Sequence, residues 1–201
     1  MEGGWKTKGR ILRRREIMEA ALELFSQKGF HGTTMAQVAR RAGVGVGTIY
    51  QHFKSKEDLY LSPLEEMCQE LLTSLRSLIQ EEDHTRETLK KILQAKTAFV
   101  ERHRSFFKLY LSEQLATLEA VRDRLGVRAD HLYGQFFELY QDIVKRGIQR
   151  GELKPLPPPH LTRALMGILN SFFFDWLKGQ IENLSQVQEM ALEIFLEGAA
   201  L

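Results

Sequence analysis

The polar residues best suited to contact another molecule lie within one stretch of the chain, between Thr34 and Lys56. Tyr50, His52 and Lys56 have polar tips that suit phosphate oxygens, and such contacts fix position without reading sequence. Lys56 stands near a predicted helix start, where backbone amides and the helix dipole also favour an anion. Thr34 begins an earlier helix in a similar position. These residue types predict contact with the backbone of a nucleic acid.

A second group in this stretch is better suited to the edges of bases. A methyl group of Val46 or Thr48 can meet a thymine methyl, and the Gln51 amide can form two hydrogen bonds with adenine. Gly47 has no side chain, so the backbone there can come close to the DNA. The alternative for Tyr50 is a core aromatic residue, which we favour less than DNA contact.

Two short predicted helices joined by a glycine turn hold these residues. Thr34 and Gln37 fit a capping box that starts the first helix, and Gly43 stands where a residue with positive φ is needed to end it. Ile49 and Phe53 follow at helical spacing and can anchor the second helix to a core. Such a pair is a helix-turn-helix, whose second helix enters the DNA major groove.

A run of the form AxxAGVxxGTIYxHFxSKEDL spans this pair of helices. It resembles the amino-terminal domain of TetR/AcrR-type transcriptional regulators, and the likeness extends from about Arg14 to Leu61. Its motif Gly-Thr-Ile-Tyr-x-His-Phe, followed by Ser-Lys, is much more specific than a bare helix-turn-helix pattern. The resemblance implies that Val46 and Thr48 occupy variable positions that set operator choice. It also implies four phosphate contacts, at Thr34, Tyr50, His52 and Lys56.

The predicted DNA-binding set also includes one glycine and two arginines. Many members of the family have Ser where this chain has Gly45, the cap of the second helix. Gly is a poorer cap than Ser by only roughly a few tenths of a kcal/mol, so the helix should form without that phosphate-contacting hydroxyl. Arg13 and Arg14 belong to a basic cluster that is predicted to contact DNA. Residues 1–9, which we expect to be mobile, either lie along phosphates or contact nothing.

Charge and length agree with a DNA-contacting head on a larger body. The chain has 201 residues, enough for a substantial core and for one or two domains. Residues 1–60 carry eleven Lys and Arg against six Asp and Glu, whereas the remainder carries seventeen against twenty. A basic head on an acidic body is typical of a DNA-binding domain joined to a scaffold.

The chain lacks the patterns of common enzymes, metal sites and exported proteins. Its histidines show no paired spacing for zinc, and there is no HExxH, GxSxG, P-loop or GxGxxG following a strand. Cys68 is the only cysteine, which excludes an intrachain disulfide and a cysteine-based metal cluster. The charged start lacks the apolar run of a signal peptide, and no window is long and apolar enough to span a membrane. We therefore predict a cytoplasmic protein that is not an enzyme, with no catalytic residue, metal or cofactor.

Apolar periodicity predicts an all-α fold, with no sustained alternation typical of strands. The first helix is predicted from Leu12 to Lys28, and others at about 84–102, 104–116, 119–150, 160–178 and 184–199. A helix from Ser55 contains Pro63, which should bend or break it. That proline is either a hinge or a tolerated kink. We predict an amino-terminal helix-turn-helix DNA-binding domain at residues 1–55 and a larger helical ligand-binding and dimerisation domain at 56–201.

Two apolar stripes near the carboxyl terminus predict a homodimer. Each stripe belongs to an amphipathic helix, and two such helices can pair with the same two from a second copy to form a four-helix bundle. The family resemblance implies a dimer interface on the same two helices. The alternative is that both stripes face the core of their own chain. The predicted interface residues are Leu161, Leu165, Ile168, Leu169, Phe172, Trp176, Val187, Met190, Ala191 and Ile194.

Many aromatic residues of the larger domain could line an apolar pocket, with Asn170 or His103 as a polar group. From the residues alone a plain core is the better interpretation, but regulators of the resembling family keep an effector cavity among these helices. The predicted lining consists of Met67, Cys68, Phe99, His103, Phe107, Phe137, Tyr140, Asn170, Phe173 and Phe174. A large aromatic or acyl-chain ligand would suit such a lining.

These observations predict a dimeric repressor that binds a pseudo-palindromic DNA operator and is released when an apolar small molecule binds the larger domain. Its two recognition helices would lie about 34–36 Å apart, or a multiple of one DNA turn. Two alternatives stay open, a DNA-binding regulator without a small-molecule effector and a helical carrier or enzyme whose helix-turn-helix is vestigial. Activation instead of repression also stays open, because the sign depends on where the operator lies.

Overall fold

A computed structural model describes residues 3–111 and 119–199, and the regular elements among them are helices, which confirms the predicted all-α class. In chain order they are α1 (Gly3–Gly32), α2 (Met35–Arg41), α3 (Val46–His52), α4 (Lys56–Ser77), α5 (Thr85–Arg102), α6 (Arg104–Leu111), α7 (Glu119–Gln149), α8 (Pro158–Leu177) and α9 (Leu184–Ala199). The later helices begin and end within a few residues of their predicted positions. The predicted end of α6 at residue 116 lies outside the described residues.

The chain divides into two compact units, residues 1–67 and 68–201, and the division falls inside α4. The functional boundary predicted between residues 55 and 56 lies just before the same helix and stays a prediction. Pro63 does not break α4, which continues through it from Lys56 to Ser77. The hydroxyl of Ser62 donates a hydrogen bond to the carbonyl of Asp58 at 2.8 Å in the turn before the proline.

Helix α1 begins at Gly3, not at Leu12 as predicted. Residues 3–9 are therefore helical, and their mobility and their contact with DNA stay predictions. Lys, Arg and Leu favour helices, and the pair Arg15 with Glu19, at 2.9 Å, adds a favourable contact between successive turns. Gly29 interrupts the helix with a φ of 70°, as expected of the residue predicted to end it.

The core of the first unit is formed by apolar side chains from its four helices, α1 to the start of α4. Burying one such side chain stabilises a protein by roughly 1.5–3 kcal/mol. The buried set shows that the helical stripe predicted for α1 packs with the helix-turn-helix as expected. Its main members are Ile17, Ala21, Phe25, Val38, Ala39, Ile49, Phe53, Leu59 and Tyr60.

The core of the second unit is formed by the end of α4 with α5, α7, α8 and α9. One close approach requires a glycine: a Cβ atom at Gly147 in α7 would lie 2.5 Å from the Thr85 hydroxyl and 2.9 Å from a Leu153 methyl. The central buried residues of this core are Leu72, Leu75, Leu89, Ile92, Tyr140, Val144, Leu153, Leu165 and Ala191.

The start of α5 is held by a carboxylate from the segment that follows α7. Glu152 accepts hydrogen bonds from the Thr85 amide at 2.7 Å and from the His84 ring at 2.8 Å. Partial burial would raise the pKa of Glu152, but the hydrogen bonds from Thr85 and His84 outweigh it and lower that pKa to about 2. The carboxylate thus satisfies an amide at the helix start and joins two segments distant in sequence.

The predicted dimer-interface residues divide equally between buried and exposed positions of the single chain, and the interface itself stays a prediction. Five of the predicted residues are buried within the chain itself: Leu161, Leu165, Leu169, Trp176 and Ala191. The reason is that α8 packs against both α7 and α9, so its broad stripe is shared between two neighbours. The other five, Ile168, Phe172, Val187, Met190 and Ile194, keep exposed surface.

Candidate functional site

Hydrogen bonds local to the chain fix the geometry of the α2–α3 pair. Both halves of the predicted capping box form, because the Thr34 hydroxyl accepts from the Gln37 amide at 3.2 Å and the Thr34 amide donates to the Gln37 side chain at 2.9 Å. Gly43 has a φ of 66°, as predicted for the residue that ends α2. The Val44 amide then donates to the Ala39 carbonyl at 2.9 Å, closing the turn.

Helix α3 has one buried face and one exposed face. Ile49 and Phe53 anchor it in the core, as predicted, with 0% and 1% of their surfaces exposed. On the opposite face Val46 is 39% and Tyr50 54% exposed, which rules out a core position for Tyr50. Gly47 and Gln51 are also exposed, whereas Thr48 and His52 are half-buried. Gly45 caps the helix without a side-chain hydrogen bond.

Lys56 forms bonds within the protein that the sequence did not reveal. Its ammonium donates to the carbonyls of Phe30 at 2.8 Å and Thr33 at 2.9 Å, and lies 4.3 Å from the centre of the Phe30 ring. Burial lowers the pKa of Lys56 slightly against the opposing charge of Glu57. An ammonium has three donors, so at most one remains for a phosphate. Lys56 therefore joins the α1–α2 connection to the start of α4, and its phosphate contact stays a prediction.

The two predicted arginines differ in their surroundings. Arg13 is on the surface, beside Glu16 at 2.8 Å. Arg14 instead packs within the unit: its guanidinium lies 4.8 Å from the centre of the Phe53 ring and pairs with Glu66. Arg14 thus supports the end of α3, and of the two side chains Arg13 is better placed to meet DNA.

Positive charges converge near the end of α3. Partial burial lowers the pKa of His52, and the nearby charges of Arg10, Arg14 and Arg13 lower it further. A histidine in such surroundings is mostly neutral near pH 7, and a phosphate beside it would favour its charged form. The end of α3 is therefore a region that favours an anion.

A second basic surface was not predicted from the sequence. An open cavity of about 420 Å³ between α1 and α2 is lined by Leu24, Lys28, Gln37, Arg40 and Arg41. Arg41 pairs with Glu23 at 2.5 Å. Basic residues at the end of a helix are common solvated residues, so their sequence alone gave no sign of this grouping.

Some of the predicted effector-pocket residues contact one another through their rings. Phe107 packs edge-on against Phe173 at 6.1 Å between ring centres, and Phe173 contacts Phe174 at 5.7 Å. Phe99 and His103 lie 4.7 Å apart in a second group. Phe174 is 45% exposed, which makes it a surface residue.

The remaining members of the predicted lining are divided between the units. Met67 belongs to the first unit, and Cys68, Phe137, Tyr140 and Asn170 belong to the second. Tyr140 is fully buried, whereas Phe137 and Asn170 are half-buried. The lining as a whole therefore stays a prediction.

Two polar groups inside the second unit have unusual surroundings. The hydroxyl of Tyr140 is buried and has no hydrogen-bond partner in the described part of the chain, and burial raises the pKa of that hydroxyl. The Lys96 ammonium lies 5.8 Å from the centre of the Tyr140 ring. Burial lowers the pKa of Lys96 to about 8, although the neighbouring Cys68 opposes the shift. Lys96 was missed because a lysine at helical spacing usually belongs to a solvated face.

Residues 3–111 and 119–199 contain neither a group of metal ligands nor a membrane-spanning helix. There, no three His, Cys, Asp or Glu side chains are grouped as metal ligands would be. No helix in the same ranges has the length and apolar character needed to cross a membrane.

Comparisons with known proteins agree with the helix-turn-helix. A family model described as bacterial regulatory proteins, tetR family, matches residues 17–62. The chain is 30% identical over 165 residues to the HTH-type transcriptional regulator RutR of Escherichia coli (strain K12), covering 80% of this chain and 76% of RutR. It is 25% identical over 186 residues to the fatty acid metabolism regulator protein of Bacillus subtilis (strain 168), covering 91% of this chain and 93% of that protein.

A solved structure shows the same fold over nearly the whole chain. The crystal structure of the regulator FadR from Bacillus subtilis in complex with stearoyl-CoA superposes with a TM-score of 0.76 at 22% identity. The superposition covers 92% of this chain and 98% of FadR. The described helices of both units therefore follow an arrangement already known among regulators.

Proposed function

Because this chain belongs to the TetR family of bacterial regulatory proteins, we propose that it represses transcription from a pseudo-palindromic operator and is released by an acyl-chain ligand. Regulators of this family bind DNA operators and act as dimers. The observation that carries the proposal is that helix α3 is amphipathic. Ile49 and Phe53 anchor it in the core, while Tyr50 is 54% exposed. A rigid, capped helix with an exposed polar face is what entry into a major groove requires.

Contacts to DNA divide into two groups by chemistry. Tyr50, His52 and the hydroxyl of Thr34 would meet phosphates, with Arg13 beside them. The α3 residues proposed to meet base edges are Val46, Gly47, Thr48 and Gln51. Because phosphate contacts release counterions, affinity should fall steeply as salt rises.

The dimer is proposed to form through the surfaces of α8 and α9 that stay exposed in the single chain. On α8 one stripe of exposed residues is small except for its last member: Ala164, Gly167, Ser171 and Phe174. They recur at spacings of three and four, so they form one stripe along which a second helix can approach closely. On α9 the exposed stripe contains Met190 and Ile194, which are 50% and 51% exposed, with half-buried Val187.

An apolar patch of this kind on a soluble domain marks an interface. The same stripes from two copies, related by a two-fold axis, would make a four-helix bundle. Such a dimer places two copies of α3 for the two halves of a pseudo-palindrome. Sedimentation of the protein, with Ile194→Glu as the variant expected to yield monomers, tests this part of the proposal.

An acyl chain is the proposed effector because of the relatives. The similar Bacillus subtilis protein is a fatty acid metabolism regulator, and the FadR structure with the same fold contains stearoyl-CoA. In this chain, half-buried Phe99, Phe136 and Phe137 lie beside the core of the second unit, a setting that suits a hydrocarbon chain. The chain would act as a regulator with no catalytic role.

Fluorescence anisotropy with a labelled fragment from upstream of its own gene tests the proposal. The protein should bind at low salt, and Gln51→Ala should weaken specific binding by roughly 1–3 kcal/mol, since it removes a base contact. Glu101→Ala, in the second unit, is the control that should bind normally. Stearoyl-CoA should then release the wild-type protein. Failure to bind any such fragment would overturn the proposal.

A regulator without a small-molecule effector is the alternative, and thermal unfolding separates the two. A ligand that binds only the folded protein raises its unfolding temperature with concentration. If a panel of acyl-CoA esters and fatty acids leaves the unfolding temperature unchanged, the effector part of the proposal is wrong even where DNA binding is intact.

A further inference from the structure

We infer that the second unit binds its acyl ligand through a carboxylate, which Lys96 of α5 and Tyr140 of α7 hold inside the protein. The inference rests on the proposed acyl-chain effector and adds the chemistry by which its polar end is recognised. It is carried by two polar groups, the Tyr140 hydroxyl and the Lys96 ammonium, that form no hydrogen bond or ion pair among the described side chains although the Tyr140 ring is part of the core.

The hydroxyl of Tyr140 is the first of these groups. The side chain has 0% of its surface exposed, and its oxygen has no hydrogen-bond partner within the described residues. A buried polar group without a partner costs free energy, and such groups in folded proteins are uncommon. A phenylalanine would fill the same space without this cost, so the hydroxyl indicates a partner that arrives from outside the chain.

The ammonium of Lys96 is the second. It lies 5.8 Å from the centre of the Tyr140 ring, near the outer limit of a cation–π contact, so the ring compensates its charge only weakly. None of the carboxylates whose side chains are described forms an ion pair with it. The buried surroundings lower the pKa of Lys96 to about 8, which leaves it mostly charged at neutral pH.

The surroundings of this pair suit a chain that ends in a charged group. Lys96 and Phe99 on α5 and His103, the residue that follows its end, lie at helical spacing, and all three are half-buried. Phe136 and Phe137 lie one turn before Tyr140 on α7 and are also half-buried. Aromatic side chains that are only partly covered by their own chain can take up a hydrocarbon, while the lysine and tyrosine take up its polar end.

Arg104 also has a buried polar atom without a partner in the described chain, but its guanidinium has a structural role that the Lys96–Tyr140 pair lacks. The Nε atom of Arg104 also has no partner among the residues described. However, its guanidinium donates to the Trp176 carbonyl at 2.9 Å and lies 4.6 Å from the centre of the Trp176 ring. Arg104 is thus occupied in holding the end of α8, whereas no comparable structural role accounts for Lys96 and Tyr140.

A carboxylate fits both groups better than a neutral head group. Its two oxygens can accept from the ammonium and from the phenol, and its negative charge compensates the positive charge of Lys96. An alcohol or an ester would leave that cation uncompensated. A thioester offers a carbonyl oxygen but no charge, so the fatty acid anion and its thioester should differ in their dependence on Lys96.

The test compares ligands of one chain length on the full-length protein. Displacement of a neutral dansyl alkyl amide at pH 7 gives the Kd of myristate, myristyl alcohol, methyl myristate and myristoyl-CoA. Wild-type protein should bind myristate about 10- to 100-fold more tightly than the alcohol and the methyl ester, the range expected for a hydrogen bond to a charged group. Lys96→Met should abolish that preference and leave the alcohol's affinity unchanged or improved.

Further variants separate ligand contact from a general effect on folding. Tyr140→Phe should weaken myristate binding by roughly 3- to 10-fold, since one neutral hydrogen bond is lost. Lys96→Gln, which keeps hydrogen-bond donors but not the charge, should fall between wild type and Lys96→Met. The matched controls are Lys90→Met on the exposed face of α5 and Tyr133→Phe on α7, which is 47% exposed. Both controls should leave every Kd unchanged.

The possible results are distinguishable. Equal binding of myristate and its alcohol by wild type, or an equal loss for all four compounds in Lys96→Met, overturns the carboxylate inference and leaves the acyl effector standing. An equal dependence of myristoyl-CoA and myristate on Lys96 also overturns it, since the site would then recognise the carbonyl rather than the charge. If no acyl compound displaces the probe, the proposed effector itself is wrong.

Discussion

The two units place their polar side chains in opposite environments. In the first unit, Lys56 donates to two carbonyls at 2.8 and 2.9 Å, and the polar face of α3 is open to water. In the second unit, the Tyr140 hydroxyl is buried without a hydrogen-bond partner among the described residues, and the ammonium of half-buried Lys96 lies 5.8 Å from the centre of that ring. Groups satisfied by water or by the chain cost the folded protein little, whereas buried groups without partners destabilise it.

This difference indicates how each unit meets its partner. The first unit is complete before DNA binds, so binding replaces water with phosphates and bases. On the proposed function, the second unit is completed only when a ligand supplies the missing partner, so the ligand would stabilise the conformation that holds it. By linkage, such a ligand can shift the protein away from its DNA-binding conformation only as far as it prefers the other conformation.

The largest expected effect is on the free energy of unfolding, when Lys56 in the first unit and Lys96 in the second are each replaced by Met. Lys56→Met removes two hydrogen bonds from a charged donor and should destabilise the protein by roughly 1.5–3 kcal/mol. Lys96→Met removes a half-buried charge with no ion-pair partner among the described side chains and should leave the ligand-free protein equally stable or more stable, by up to about 1 kcal/mol. Urea unfolding of both variants measures the two free energies of unfolding. Destabilisation by Lys96→Met would mean that the lysine has a structural role, and the contrast between the units would be lost.

The next effect concerns Glu152, a partly buried carboxylate of the second unit that accepts hydrogen bonds from both Thr85 and His84. Glu152→Gln should lower the free energy of unfolding by roughly 1–2 kcal/mol at pH 7, because charge-assisted hydrogen bonds to Thr85 and His84 are weakened. The pKa of Glu152 is lowered to about 2 in the folded protein. Its contribution is therefore complete above the unfolded pKa and lost as pH falls from about 4 to 2.

Unfolding curves at several pH values test this. Wild type and Glu152→Gln should converge in stability as the pH approaches 2. A constant difference across the whole range would show that the lost stability comes from side-chain packing instead of the charge. Convergence would show that the paired carboxylate stabilises the second unit through its charge, in contrast to the effect expected of Lys96, which is unpaired among the described side chains.

Replacing either of two tyrosines by phenylalanine should have a smaller effect, on stability for one and on operator binding for the other. Tyr140→Phe removes an unpaired buried hydroxyl and should leave the ligand-free protein equally stable or more stable, by up to about 1 kcal/mol. Tyr50→Phe, on the exposed face of α3, should not change stability but should weaken operator binding several-fold, since a phosphate loses its hydrogen bond. Thermal unfolding and anisotropy measure the two properties. A loss of stability in Tyr140→Phe would show that the hydroxyl already has a partner.

The smallest effect is on the pH dependence of DNA binding. Partial burial and the charges of Arg10, Arg14 and Arg13 hold the pKa of His52 below its usual value. A phosphate favours the charged form, so DNA binding should take up a proton, and affinity should rise as pH falls from 8 towards 6. We expect a gain of about 2- to 5-fold beyond that of His52→Gln, which has no such group. Identical profiles for the two proteins would remove His52 from the interface.

Local features of the fold followed from the sequence. The capping box of Thr34 and Gln37, the positive φ at Gly43 and the anchors Ile49 and Phe53 all depend on residues within a few positions of one another. Hydrogen bonds and helical spacing at that range are written into residue order, and so the helix-turn-helix and the all-α class were predicted correctly.

Tertiary structure decided the contacts between residues far apart in sequence. Periodicity showed that α8 has a broad apolar stripe, but only packing against α7 and α9 showed that Leu165 faces its own chain. The same spacing that places a lysine on a solvated helix face also fits Lys96, which the fold leaves half-buried, 5.8 Å from the centre of the Tyr140 ring. Lys56 likewise bonds to carbonyls more than twenty positions away. Sequence periodicity tells which face of a helix is apolar, whereas the partner of that face depends on how the other helices pack around it.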